Sequence, residues 1–350
     1  MRINTIQIYN YVAFKGKTEN NNKSFSLKRL TSDVFQKTTD SIEKTKRNKL
    51  LKSNGEIGQY YNEVFDKILM DVPVMKLLGV EKPKLIFNDK MEANAAYDFT
   101  SNTIELNPIY QEDFFACFEY GENDELQNCG IYNRTDFEGS LEQIKARSAG
   151  YQIRKLTPEE KELHIKSILV HELRHWTQEH IIASTKGCQE PYERRLGKVK
   201  ELINTLEEII IVLKENGAPR QKIKEYQAKL ADAKKQHSYI LSYKPKVVLS
   251  EDYKLPVSAL PYENQYWSVK DHLLKAALSY SNSDDAQYST NPKEIDAYNY
   301  QADYIVIEES KPNTKVRAKV VEAMLMGCAK NGFSAMERLE EFGYPPLLSE

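Results

Sequence analysis

The sequence predicts an α+β chain carrying an inserted antiparallel helical hairpin, and three observations carry that reading. Thr157-Pro158-Glu159-Glu160 opens a run free of Gly and Pro until Gly187, as one long capped helix would. Upstream, AAYDF (95–99) and TIELN (103–107) set two β-type runs about a polar TSN turn. Downstream, apolar residues recur every three or four positions on both sides of Asn216-Gly217-Ala218-Pro219. Gly suits a helix end and Pro a helix start, so two helices meet there.

In chain order, residues 1–55 are rich in Asn, Lys, Ser and Thr and too poor in apolar residues to specify a core. They read as a largely disordered leader with a short helix after Thr31. Tyr60, Tyr61, Val64, Ile68, Val72 and Met75 recur at helical spacing between Ile57 and Leu78. KLIFND then reads as a strand, followed by the hairpin, with Pro108 closing its second strand. Residues 111–155 are mixed and Gly-punctuated and give no assignment. The capped helix runs from Pro158 into the low 180s.

Residues 192–241 carry a coiled-coil seam: Leu196, Val199, Ile203, Leu206, Ile210 and Leu213, then Ile223, Tyr226, Leu230, Ala233, His237 and Ile240. After a loop-rich stretch over 243–290, Asn291-Pro292-Lys293-Glu294 opens another helix, and 315–345 supplies one or two more. The expected organisation is a leader over 1–55, one catalytic domain from 56–190 and 243–350, and the hairpin inserted at 191–242.

Bulk properties narrow the function classes. The 350 residues are 41% hydrophobic and 29% charged, with a net charge of -2. This balance argues against a wholly disordered chain and against nucleic-acid binding driven by bulk positive charge. The apolar run at Ile209–Leu213 falls far short of the roughly 20 residues a membrane-spanning helix needs. MRINTIQIYNYVAFKG has no basic segment followed by an apolar stretch and a cleavage site. The default compartment is therefore the cytoplasm, with export by a route that leaves no such signal as the alternative. Cys117, Cys129, Cys188 and Cys328 form no C-x-x-C pair and are expected as free thiols.

The chemistry concentrates in His171-Glu172-Leu173-Arg174-His175. At about 100° per residue, the two histidines lie roughly 40° apart on one helical face. Two imidazoles so placed can ligate one zinc ion, with Glu172 beside them as the base that deprotonates a water. Ile168, Leu169, Leu173 and Trp176 can form the core-facing stripe of the same helix. The competing reading is a helix with two satisfied or exposed histidines.

ILVHELRHWTQ, together with NPKEIDAYNYQ, resembles the zincin superfamily of zinc metallopeptidases, in its gluzincin-type arrangement. The resemblance covers 80–108, 157–183 and 291–310. It implies a zincin-like catalytic domain: a small sheet, an active-site helix, and a second helix whose glutamate completes the site for one zinc ion. Glu294 and Ala297 match the E-x-x-A pattern of that helix. It further implies peptide-bond hydrolysis in a protein or peptide substrate, Glu172 as general base, and an edge strand that pairs with substrate. Thr103, Ile104, Glu105 and Leu106 are the candidates for that strand.

Several alternatives stay open. Glu294 could simply cap its own helix, as the third residue after an Asn N-cap. Asp296 is a second acidic candidate, about 200° around the helix from Glu294. Tyr298 could donate to an oxyanion or merely pack, and Gln301 could orient a ligand. His180 sits about 140° from His175 and about 180° from His171 on a continuous helix, pointing away from a shared metal. His164 shares the face of His171 and could line the cleft, but reads more simply as a surface residue; His237 belongs to the seam, and His272 has no evident partner. The rival function is a zinc-binding but non-catalytic module whose hairpin recruits a protein partner.

Overall fold

The computed structural model describes residues 58–68, 79–91, 93–108, 113–243, 245–256, 259, 266–279, 290–312 and 314–329. The expected leader lies outside these residues, and of the expected 57–78 helix only α1 (58–68) is described. The architecture is mixed α+β. Three strands, β1 (Lys84–Phe87), β2 (Ala95–Asp98) and β3 (Thr103–Leu106), form one small sheet in the order β1-β3-β2. A second sheet, in the order β5-β4-β6, joins β4 (Phe114–Tyr120), β5 (Leu126–Asn133) and β6 (Gly150–Lys155), with α2 (Arg134–Arg147) between β5 and β6 in the chain.

The long helix α3 (Pro158–Ser184) is followed by α4 (Glu190–Glu215) and α5 (Arg220–Ser242). A short β7–β8 ribbon (Lys254–Pro256, Tyr266–Ser268) leads into a π-helical turn at Val269–Leu274 and α6 (Lys275–Ser279). The described chain ends with α7 (Pro292–Glu309) and α8 (Ala318–Ala329). Among the described residues no helix is long and apolar enough to cross a membrane, and all four cysteines are buried thiols.

The expected hairpin forms over 95–106, with Tyr97 opposite Ile104 and Asp98 opposite Thr103. Its turn needs a left-handed residue, which Asn102 supplies with φ of 52°, a conformation asparagine tolerates better than most. The expectation that Thr103–Leu106 is an edge strand is wrong. β1 pairs with it in parallel, Leu85 opposite Ile104 and Phe87 opposite Leu106, so β3 is the central strand. Burial explains the outcome: Ile104 and Leu106 are almost fully enclosed, which suits a strand flanked on both sides. The edge is β2.

The unassigned 111–155 region is the second sheet. Phe114–Tyr120 is a nearly unbroken apolar run, buried at five of its seven positions, as an internal strand should be. The helix α3 packs against β2 of the first sheet and against α7, while α8 covers the second sheet. The start of α3 is capped as expected: Thr157 accepts from the Glu160 backbone while Glu160 reaches back to the Thr157 N–H. Arg154 clamps the same Glu160 with bonds of 2.7 and 2.6 Å. Ile165, Leu169, Leu173 and Trp176 are buried along α3, each aliphatic side chain worth about 1.5–3 kcal/mol in transfer from water. Trp176 also donates its indole N–H to Asn102 Oδ1 at 3.1 Å, tying α3 to the hairpin turn.

The two seam helices pair antiparallel. Val199, Leu206 and Ile210 of α4 and Ala233 and Ile240 of α5 are buried, and the other expected apolar seam residues are half-buried. Gly217 takes φ of 63° at the turn, a left-handed position that suits glycine. The root of this hairpin is joined to the rest of the fold. Tyr192 packs edge-on to Phe99 at 6.3 Å, and Arg195 grips the buried Glu179 through bonds of 3.0 and 2.9 Å.

Two excisions therefore have different outcomes. Replacing 201–234 with a short linker should leave the melting temperature of the remaining domain nearly unchanged. Removing 192–241 strips Arg195 from Glu179 and should destabilise it. The loss should fall somewhat below the about 3–5 kcal/mol of a wholly broken buried pair, because Lys293 still pairs with Glu179. Calorimetry of the two proteins decides; equal stabilities would show that the root contributes nothing.

Candidate metal centre

α3 and α7 pack against each other, and their contact brings three sequence-distant groups to one point. His171 and His175 stand one turn apart on α3, with Nε2 atoms 3.1 Å from each other. Glu294 arrives from the first turn of α7. Its Oε2 lies 3.2 Å from His175 Nε2 and 3.5 Å from His171 Nε2. Donor atoms 2.0–2.1 Å from a tetrahedral ion are separated by about 3.3 Å, so the three lone-pair donors stand at the spacing of one face of such a site. All three residues are largely buried, and together they form a group that can hold a metal ion.

The capping alternative for Glu294 is not what the carboxylate does. Asn291 caps α7 itself, accepting from Lys293 N at 2.9 Å, and Glu294 turns to the histidines. Burial pushes the Glu294 carboxyl up, and His175 and His171 overcome that push, holding it well below the usual carboxylate range. Burial likewise opposes a charge on His175, but Glu294 beside it raises the imidazole. With no ion among them, His175 and Glu294 favour each other's charged forms. With one, the carboxylate is already in its ligating form.

Residues around the ligands decide their orientation. His175 Nδ1 donates to Gln178 Oε1 at 3.0 Å. Gln178 is oriented in turn by donating from Nε2 to Lys293 O at 2.9 Å and Asp296 Oδ2 at 2.6 Å. This leaves His175 Nε2 as the lone pair facing the centre. Asp296 is not a ligand. Fully buried, it pairs with Arg174 through bonds of 2.7 and 2.9 Å, and Arg174 stacks over Tyr300 at 4.4 Å and donates to the Pro256 carbonyl. The ring of His171 packs against Tyr298, centroids 4.4 Å apart, while its Nδ1 has no partner among the described residues. Gln178→Leu is expected to weaken metal binding by about 10–100-fold, the usual cost of losing such a partner. Chelator competition measures it; unchanged affinity would sever Gln178 from the site.

Glu172 is placed differently from its neighbours. Its Oε2 accepts the backbone N–H of Tyr97 at 2.8 Å, so the carboxylate is held against edge strand β2 rather than among the ligands. Because the Tyr97 N–H points away from β3, strand alternation turns the N–H and C=O of Ala95 the same way. Both groups face a cleft of about 480 Å³ lined by residues 93–97, His171, Glu172, His175, Glu294 and Tyr298.

Scans of protein-family models, curated proteins and solved structures found no match to this chain. The site is therefore read from its own residues.

His180 lies away from the centre. It is enclosed by Trp176, Phe99 and Tyr243, with ring centroids 4.8–5.3 Å away, and its Nε2 meets Tyr97 OH at 3.2 Å. Burial pushes its imidazole down to about 3. His164, expected at the surface, is instead 5% exposed and borders the cleft, its ring edge-on to Phe114 at 4.7 Å. Burial drives it down to about 4. Gln301 donates to Ser167 Oγ at 3.2 Å. His237 is half-buried in the seam, and His272 is exposed beside Trp267.

The reading of the sequence missed Gln178, the Tyr97 N–H and the Arg174–Asp296 pair. Only the last had a signal: an arginine inside the motif and an acid two residues after Glu294.

Proposed function

We propose that the chain is a zincin-like, zinc-dependent metallopeptidase that hydrolyses peptide bonds in a protein or peptide. The single observation that carries this reading is the convergence of His171, His175 and Glu294 beside a carboxylate, Glu172, that is not one of them. Two imidazoles and a carboxylate fit zinc, and three protein donors leave a tetrahedral ion one position for a water or substrate. Zinc held there would supply Lewis acidity, polarising the carbonyl and acidifying the attacking water.

The chain's own groups account for the rest. Glu172, fixed through one oxygen by the Tyr97 N–H, has a second oxygen with which to take the proton of the attacking water and pass it to the leaving nitrogen. The outward N–H and C=O of Ala95 offer an extended substrate the backbone partners that a free sheet edge provides. Tyr298, lining the cleft beside His171, is the candidate donor to the oxyanion.

The test combines metal analysis with digestion of a mixed peptide library by the full chain. One zinc per chain is expected, with cleavage that a chelator abolishes and added zinc restores. A chain that takes up no zinc, or a zinc-loaded chain that leaves every library peptide intact, overturns the proposal.

A further inference from the structure

The inserted hairpin does more than pack on itself: its root walls one end of the cleft. Pro191, Arg194, Arg195 and Lys198 line the same cavity as the three candidate ligands, and Lys293, next in sequence to Glu294, joins them. Among the described residues, the charged groups lining this end are four cations and the carboxylate of Glu179. Glu179 is already committed. It is 5% exposed and bound by both Arg195 and Lys293, and those cations hold its carboxyl far below the usual range despite burial.

The remaining charges are less satisfied. Among the described residues, Arg194 reaches Glu190, one turn back on its own helix, in an exposed pair at 3.1 Å, and the Leu278 carbonyl at 3.3 Å. Lys198 is exposed, with no hydrogen bond or ion pair among the described residues. Asp98 is the other acid close enough to act on Arg195. Its carboxylate is taken up by Thr100 and Ser101 in its own turn. Among the described residues, this end of the cleft therefore carries positive charge that no acid fully neutralises.

Its distance from the candidate catalytic groups suits a substrate side chain. Glu179 follows His175 by one helical turn, about 6 Å along α3. β2 runs the same way, since Tyr97 meets Glu172 through its N–H and His180 through its hydroxyl, and Phe99 lies farther on. Arg195 lies over the Phe99 ring at 5.1 Å. A chain laid along β2 thus reaches the cationic wall after two or three residues, at about 3.3 Å each. Resting on the peptidase reading above, we infer that the hairpin root is a specificity element: Arg194 and Lys198, backed by Arg195 and Lys293, recognise an acidic side chain two or three residues from the scissile bond.

The experiment uses the full chain loaded with zinc, carrying Glu172→Gln to prevent turnover. The probes are a fluorescein-labelled peptide with Asp and Glu at alternating positions and its counterpart with every acid replaced by Asn or Gln. Anisotropy at low salt should show the acidic peptide bound at least about tenfold more tightly. That preference should shrink as salt rises, because exposed charges are screened. Adding Arg194→Glu and Lys198→Glu, both at exposed positions, should abolish or invert it while zinc content and melting temperature stay unchanged. Equal binding of the two peptides, or a preference that survives the double reversal, overturns the inference. The peptidase reading is separated by a parallel arm, digestion of a mixed library by the zinc-loaded wild-type chain. Cleavage with no bias towards acids sinks the inference alone. Acid-selective binding with no cleavage sinks the peptidase reading and leaves the binding wall standing.

Discussion

Glu172→Gln is expected to lower the turnover of any peptide the zinc-loaded chain cleaves by about 10²–10⁴-fold, the usual contribution of a positioned acid–base group, while leaving zinc content and melting temperature unchanged. The substitution is nearly isosteric. The amide oxygen of the glutamine can still accept the Tyr97 N–H that Glu172 Oε2 accepts at 2.8 Å, so the side chain should stay where it is. What changes is the other terminal atom, which becomes an NH₂ group with no proton-accepting capacity. Neither histidine nor Glu294 is touched, so metal binding has no reason to fall. Rates under matched zinc occupancy, with occupancy measured on the same samples, separate the two effects. A variant that cleaves at the wild-type rate would show that Glu172 is not the base. A variant that loses zinc in parallel with activity would show that Glu172 belongs to the metal site.

Local signals in this chain were readable and long-range ones were not. The α3 start was legible because Thr157, Pro158 and Glu160 act on backbone groups within one turn, and the seam over 192–241 was legible because its period repeats many times. The pairing of β1 with β3 was not, since nothing in KLIF names its partner, and that one parallel contact turned an expected edge into a central strand. Phe114–Tyr120 was passed over because a continuous apolar run lacks the alternation that marks a half-exposed strand.

The candidate metal site divides along the same line. His171 and His175 share a helix and a face, so their proximity follows from helical geometry alone. Glu294 is 119 residues from His175, and only the packing of α7 on α3 brings it there. That packing is specified by a buried polar contact as well as by apolar burial. Arg174, inside the motif, meets Asp296, two residues after Glu294, with both side chains almost fully enclosed. Rotating α7 away from its position would leave two buried charges without partners, a cost far larger than that of shifting an apolar contact. The same pair anchors Gln178 and through it His175, so the element that fixes the helix orientation also fixes a candidate ligand.

Glu294→Ala and His180→Ala should part company on metal affinity and on stability. Removing Glu294 takes away one of three donors and the negative charge that offsets the cation. Zinc affinity should fall by more than the about 10–100-fold that loss of an outer hydrogen-bonding partner costs. Stability of the metal-free protein should fall too, because the histidines more than offset the burial of this carboxylate, but the larger effect should be on the metal. His180→Ala should do the reverse. Its ring is fully enclosed by aromatic neighbours, and truncating a large buried side chain commonly costs about 3 kcal/mol or more. Its nitrogens face Tyr97 and the core rather than the ligands, so chelator competition should return a zinc affinity close to wild type. Measuring both quantities on both variants makes the outcome a crossed pattern. A weakened site in His180→Ala with an unaffected one in Glu294→Ala would remove Glu294 from the site, and the gluzincin-like reading would go with it.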